Sequence, residues 1–323
     1  MLTAEQQPAG IEQTGFAGLI FRCPACGGSV QAEPLANAMT CSACRFRLGE
    51  REGIWLALPR ERKDYYARFI CEYERIRAAE GRGSDTADYY LSLPFRDLAG
   101  RNQSQWEIRA RTFRYLSKQI LPRLRPDARI LDLGAGNGWL CYRLALMGFK
   151  PVAVDLLVND RDGLAAAKHY RARLPSMFPC VQAENTHLPF ASEQFEAAIF
   201  NASFHYAENY ASAVLETLRC LKRGGMLIVA DSPWYRTSSS GDQMLAERRA
   251  LFLERYGTTS DSIPSQEYLT DDRLRDLEQR FGFRWKRHAP FYGLRWALRP
   301  WIARCHGRRE PARFHIYTAE KSA

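Results

Sequence analysis

Leu131-Asp132-Leu133-Gly134-Ala135-Gly136-Asn137-Gly138-Trp139-Leu140 is the stretch that decides the fold. The apolar residues around its start (Ala128, Ile130, Leu131, Leu133) predict a buried strand. Tyr142 to Met147, followed by Gly148, predicts a helix closed by a glycine. The glycines therefore sit on a strand-to-helix turn, where positive φ and a close approach of ligand to backbone are needed. The helix start that follows offers free N–H groups. A second predicted strand, Pro151-Val152-Ala153-Val154, ends in Asp155. An acid at that place suits the hydroxyls of a ribose. The pattern G-A-G-N-G differs from the G-x-G-x-x-G of dinucleotide folds, so a nucleotide other than a dinucleotide is the expected ligand.

Three further signals follow in order. Val181-Gln182-Ala183-Glu184-Asn185-Thr186-His187-Leu188-Pro189-Phe190 predicts a third strand ending in an acid, then an L-P-F loop. Phe195 to Asn201 predicts a fourth strand. Leu218 to Ala230 predicts a helix end, a Gly224-Gly225 turn and a fifth strand. Together with Asp132, two residues before the first glycine, the set resembles the S-adenosylmethionine (SAM)-dependent methyltransferases of Rossmann-like fold. The resemblance covers roughly residues 105–323 and implies an α/β sheet of seven strands in the order 3-2-1-4-5-7-6.

What the resemblance implies can be stated by residue. Asp132, Gly134, Ala135, Gly136 and Asn137 would meet the methionine and ribose of SAM. Asp155 with Leu156 would meet the ribose, Glu184 with Asn185 the adenine, and Asn201 the face where methyl transfer occurs. His205 lies in the loop after strand four, where the family often carries a histidine. It reads either as a general base, since histidine titrates near neutral pH, or as a loop residue bonded to backbone. Tyr206 and Asp231, the latter ending strand five, are the other catalytic candidates; Asp231-Ser232-Pro233 reads equally as a turn. The D/N-P-P-[YF] motif of amino-group methyltransferases is absent after strand four.

Cys23-x2-Cys26 and Cys41-x2-Cys44 form two knuckles, a spacing that predicts a closed four-thiolate metal site. Zinc is the expected ion, with iron as the alternative. The other five of the nine cysteines are scattered, and residues 1–20 lack the basic start and apolar core of a signal peptide. Both features predict a reducing, cytoplasmic setting in place of disulfides. Residues 20–59 resemble the zinc ribbons that accompany RNA-modifying methyltransferases, including the finger of the bacterial rRNA guanine-N1 methyltransferases. The chain departs from that pattern at Cys44, where a histidine is expected, and by the long connector before strand one.

The formal net charge is +10, and the excess is concentrated. Residues 284–313 hold nine Arg or Lys against one Glu, and residues 101–129 hold eight against two acids. Such faces attract phosphate-bearing partners, either RNA or an anionic membrane, or are simply solvated. No apolar run is long enough to span a bilayer. Residues 60–104 predict a helical connector in which Tyr65, Tyr66, Phe69, Ile70, Tyr73 and Ile76 recur at helical spacing. Tyr89 to Phe95 reads as core packing or as a lid. Gln105 to Leu121 predicts the helix before strand one. Serines 238–240 with Gly241 read as a linker before a helix Gln243–Tyr256. Phe283–His288 and Ala312–Thr318 predict strands six and seven. The insert between them, Tyr292 to Arg309, predicts a basic amphipathic helix that packs on the domain, walls a pocket or meets a membrane.

The expected chain is thus a flexible start (1–18), a zinc ribbon (19–59), a helical connector (60–104) and a SAM-dependent methyltransferase domain (105–323). The expected reaction is transfer of a methyl group to an O, N or C atom of a small-molecule or lipid-like acceptor. Two alternatives stand beside it: methylation of an rRNA or tRNA base with the ribbon gripping RNA, and an inactive SAM-binding partner protein.

Overall fold

The computed structural model describes residues 18–34 and 36–322, so the flexible start expected for residues 1–18 lies outside the described residues except for Gly18. Four short strands come first: β1 (Val30–Ala32), β2 (Ala38–Cys41), β3 (Arg47–Arg51) and β4 (Ile54–Leu56). Three helices follow, α1 (Arg60–Ala79), α2 (Ala87–Ser92) and α3 (Gln103–Tyr115). Then come β5 (Arg129–Leu133), α4 (Trp139–Leu146), β6 (Lys150–Asp155), β7 (Cys180–Gln182), β8 (Phe195–Asn201), α5 (Tyr210–Cys220) and β9 (Leu221–Ala230). The chain closes with α6 (Ser238–Tyr256), α7 (Asp271–Phe281), β10 (Lys286–His288), α8 (Leu294–Cys305) and β11 (Ile316–Glu320).

The strands form one mixed sheet in the order β1-β2-β3-β4-β7-β6-β5-β8-β9-β11-β10. Counted from β5, the run from β7 to β10 reads 3-2-1-4-5-7-6, but it does not stand alone as a seven-stranded sheet. The ribbon strands continue it, because β4 pairs in parallel with β7 through Ile54–Cys180, Trp55–Val181 and Leu56–Gln182. Apolar residues explain the fusion: Leu48 and Trp55 of the ribbon are buried in the same cluster as Leu131, Val154 and Phe190. Phe21 bridges them, with ring centroids 5.5 Å from Trp55 and 5.6 Å from Phe190.

The central strands are buried on both faces, as parallel strands covered by helices must be. In β5 the side chains alternate: Leu131 and Leu133 join one core cluster, Ile130 the other. The two neighbours of β5, namely β6 and β8, lie on opposite sides of it. A crevice opens at the carboxyl ends of strands where the order reverses in this way.

Several expectations are corrected. The helix before strand one ends at Tyr115, not Leu121, and gives way to a wider π-type turn over Leu116–Ile120. Pro122 has no N–H to continue the helix, so a regular helix cannot run through it. Serines 238–240 are the first turn of α6, not a linker. Gly241 is there for close packing, since a Cβ would meet the Tyr268 ring at 2.5 Å. Of the two readings of Tyr89–Phe95, core packing holds for Tyr89, Tyr90 and Leu93, which are fully buried, while Phe95 is exposed. The insert helix α8 does not pack its apolar face on the domain: Leu294, Leu298, Trp301 and Ile302 are all exposed. Strands six and seven are shorter and shifted, as β10 and β11, and they pair antiparallel. No helix among the described residues is long and apolar enough to cross a membrane.

Candidate active site

A cavity of about 1140 Å³, counting its open mouth, lies at the carboxyl ends of β5, β6, β7 and β8. Its floor is the glycine turn. Gly134, Gly136 and Gly138 have φ of +80°, +53° and +75°, the left-handed region that glycine enters without penalty. Gly134 has a second reason to lack a side chain, since a Cβ there would lie 2.2 Å from the Ser203 Cβ in the loop after β8. Gly134→Ala therefore combines left-handed strain with a steric clash. The expected result is a stability loss of about 2–4 kcal/mol in denaturant unfolding, together with loss of nucleotide binding.

Asp155 ties β6 to this turn. The Gly136 N–H donates to its Oδ2 at 2.7 Å and the Leu157 N–H to its Oδ1 at 2.8 Å. Burial raises the carboxyl to about 6, against the pull of those two amides. Each oxygen keeps a free lone pair for a hydroxyl donor. Leu156, Ala135 and Asn137 are also on the wall.

Past β7, Glu184 and Asn185 form the far end of the cavity. Glu184 is held by Arg62 of α1, whose Nη2 donates to Oε2 at 2.6 Å and Nε to Oε1 at 2.9 Å. The Tyr66 hydroxyl lies 2.9 Å from a Glu184 oxygen and 2.9 Å from a Glu208 oxygen. Burial pushes the Glu184 carboxyl up, but His187 and Arg62 outweigh it and hold it at about 2.

The roof is α1, which the sequence does not place over the site. Tyr66, Phe69, Tyr73 and Arg77 line the cavity, spaced so that they fall on one helical face. Of the four connector tyrosines considered as pocket residues, Tyr66 is on the wall, Tyr65 faces solvent, and Tyr89 and Tyr90 are in the core.

Among the catalytic candidates, only Tyr206 reaches the wall; its ring centroid stands 5.7 Å from that of Tyr73. His205 does not line the cavity. It is buried, its Nδ1 is 3.4 Å from the Ser232 hydroxyl, and burial lowers it to about 4. The two sit in a single 3₁₀ turn, Phe204–Tyr206, where successive side chains point about 120° apart. Asp231 is also off the wall. Its backbone is left-handed at φ +52°, and its carboxylate accepts from Thr112 Oγ1 of α3 at 2.5 Å. Asp132 points into the core toward the Cys141 thiol at 3.4 Å, and burial raises it to about 7. Asn201 is on the wall, and its Oδ1 is a buried acceptor without a partner.

The four knuckle cysteines come together apart from this cavity. Their Sγ atoms all lie within 4.8 Å of one another, with Cys23–Cys44 and Cys26–Cys41 each at 3.5 Å. These separations are too long for disulfides and near the roughly 3.8 Å edge that four 2.3 Å zinc–thiolate bonds define. The cluster fits a zinc ribbon.

Residues 131–229 match the family model described as a methyltransferase domain. The chain is 34% identical over 114 residues to the uncharacterized methyltransferase YodH of Bacillus subtilis, covering 35% of this chain and 47% of that protein. It is 32% identical over 108 residues to a demethylmenaquinone methyltransferase of Corynebacterium efficiens, covering 33% and 43%. Among solved structures it is similar to the YcgJ protein of Bacillus subtilis, at 13% identity and a TM-score of 0.48, covering 67% of this chain and 98% of that one. The chain spans less than half the length of the curated relatives it matches. Leu131 to Val229, the glycine turn through strand five, is a methyltransferase domain of the SAM-dependent class, set in a larger Rossmann-like α/β sheet.

Proposed function

We propose that this chain transfers the methyl group of SAM to a small-molecule or lipid-like acceptor. The observation that carries the reading is convergence: the glycine turn, Asp155, Glu184 and the unpartnered Asn201 oxygen all open onto one cavity. In this reading Asp155 takes the ribose hydroxyls, Glu184 with Asn185 the adenine, and Asn201 the methionine amine beside the reacting methyl. SAM supplies a sulfonium methyl already activated toward a nucleophile. The protein's part is then to hold the acceptor in line and exclude water, which can contribute about 7–11 kcal/mol. The aromatic roof of Phe69, Tyr73 and Tyr206 suits a flat or apolar acceptor. Matched relatives named for demethylmenaquinone and ubiquinone/menaquinone biosynthesis point the same way. In this reading Tyr206, which lines the cavity, orients an acceptor oxygen. The cysteine cluster would hold a structural zinc ion that braces the ribbon.

Transfer of tritiated methyl from SAM into a cell extract, then separation into RNA, protein, lipid and soluble fractions, tests the reading. Label in the lipid or soluble fraction is expected. Label confined to RNA or protein, or none in any fraction, would overturn it.

A further inference from the structure

The insert helix α8 carries its apolar residues on the outside of the fold. With about 100° per residue, Leu294, Leu298, Trp301, Ile302 and Cys305 share an arc of about 100°. That arc faces outward: Leu294 is 75% exposed, Trp301 74%, Leu298 53% and Ile302 51%. The opposite face meets the domain. Trp296 stacks on Phe314 with ring centroids 5.4 Å apart, and the Arg299 guanidinium lies over the same indole at 4.0 Å. The lead-in to the helix is tied to α3, where the Tyr292 and Thr112 hydroxyls are 2.9 Å apart. The helix is thus held by one side and leaves a row of large apolar side chains in water. Single exposed apolar residues are ordinary, but a contiguous row marks an interaction surface.

Charge identifies what the row meets. Arg295 and Arg304 flank the stripe, one on each side, and Arg308 follows it; all three are exposed. The nearby Arg284, Arg309 and Arg313 face Glu278, Glu247 and Glu310. Among the described residues no ion pair engages Arg295, Arg304 or Arg308. Glu310 is the one acid in residues 284–313, and Arg313 holds it at 2.6 Å. A second copy of the chain would bring the same unpaired arginines and no acid on that face. RNA would satisfy the guanidinium groups but leave Leu294, Leu298 and Ile302 in water. An anionic lipid surface takes both. The stripe enters the acyl boundary, the arginines at its edges reach the phosphates, and a tryptophan suits the interface between them. We propose that α8 lies in the plane of an anionic membrane surface and docks the protein there as a peripheral binder. The helix to which it is tied, α3, also sets Trp106 on the cavity wall, so the docking face is joined to the cavity through one element.

The test is flotation of the full chain with vesicles of phosphatidylcholine and phosphatidylglycerol at about 7:3, and with vesicles of phosphatidylcholine alone. The parent is expected to float with the anionic vesicles and to bind the neutral ones at least about tenfold more weakly. Leu298→Gln combined with Trp301→Gln, both on exposed side chains, is expected to lose at least about tenfold in partitioning while its thermal midpoint stays that of the parent. Arg295→Gln combined with Arg304→Gln is expected to lose about tenfold and to weaken the dependence on salt. No flotation by the parent, or equal flotation on the two kinds of vesicle, overturns the proposal. Undiminished binding by the leucine–tryptophan variant also overturns it, since that leaves only a basic patch of the kind RNA equally takes. So does dimerisation of the parent in sedimentation that the same variant abolishes, which assigns the stripe to a second copy. Flotation is read without SAM, so it stands or fails apart from methyl transfer.

Discussion

Asp155→Ala lowers the affinity for SAM by about 100- to 1000-fold in a calorimetric titration. The carboxylate makes two kinds of bond that alanine cannot replace. It accepts the N–H groups of Gly136 and Leu157, which fix the glycine turn against β6, and in the proposed reading it also accepts the ribose hydroxyls. Hydrogen bonds to a charged group contribute about 1.5–3 kcal/mol each, and losing two at the lower end of that range gives about 3–4 kcal/mol. The same residue sets a pH dependence. Its carboxyl is raised to about 6, above the ordinary value, so the charge present above that pH is lost as pH falls through it. At pH 5 about a tenth of the group is ionised, and SAM affinity should fall by up to tenfold relative to pH 8. Asp155→Asn should bind more weakly than the parent but show a flat profile over that window. Undiminished binding by Asp155→Ala would remove the ribose assignment.

Removal of the zinc proposed for the ribbon is expected to weaken SAM binding as well as stability. Were the ribbon a separate module, chelation would leave the cofactor site intact. Instead β4 lies against β7 in parallel register, and the Ala57 N–H donates to the Gln182 carbonyl at 2.9 Å. Glu184 follows two residues on. Four thiolates that lose their ion lose the interaction that folds a small ribbon, and that in turn exposes the edge of β7. Treatment with a strong chelator is expected to release one zinc per chain, to lower the midpoint of thermal unfolding by on the order of 10 °C, and to reduce SAM affinity by about tenfold. Elemental analysis, a thermal melt and a SAM titration on the same sample read all three. Unchanged SAM affinity after complete zinc loss would show that the ribbon does not brace the site.

What the sequence makes legible here is backbone. The glycine turn, Asp155, Glu184, Asn185 and Asn201 all lie at strand ends, where order along the chain dictates position in the sheet, and all reach the cavity. Side-chain direction is less legible. His205 and Tyr206 are neighbours in sequence, yet a 3₁₀ turn sends one into the core and the other to the wall. Asp132 sits beside the glycines, but strand alternation turns it inward toward Cys141. Long-range docking is least legible. The apolar periodicity of α1 is plain in Tyr66, Phe69 and Tyr73, but that periodicity does not say what the face covers. The clue is chemical: Arg62 finds Glu184 across 122 residues and draws the helix over the site. Similarly, the spacing of the cysteines predicts a closed metal cluster, while the fusion of the ribbon to the main sheet depends on Leu48, Trp55 and Phe21 finding a shared core.

The most direct test of the account is calorimetric titration of SAM into the full chain, repeated with S-adenosylhomocysteine and with a nicotinamide dinucleotide. The account predicts binding of one SAM per chain, competed by S-adenosylhomocysteine, and no heat from the dinucleotide. Binding of the dinucleotide with none of SAM would contradict it.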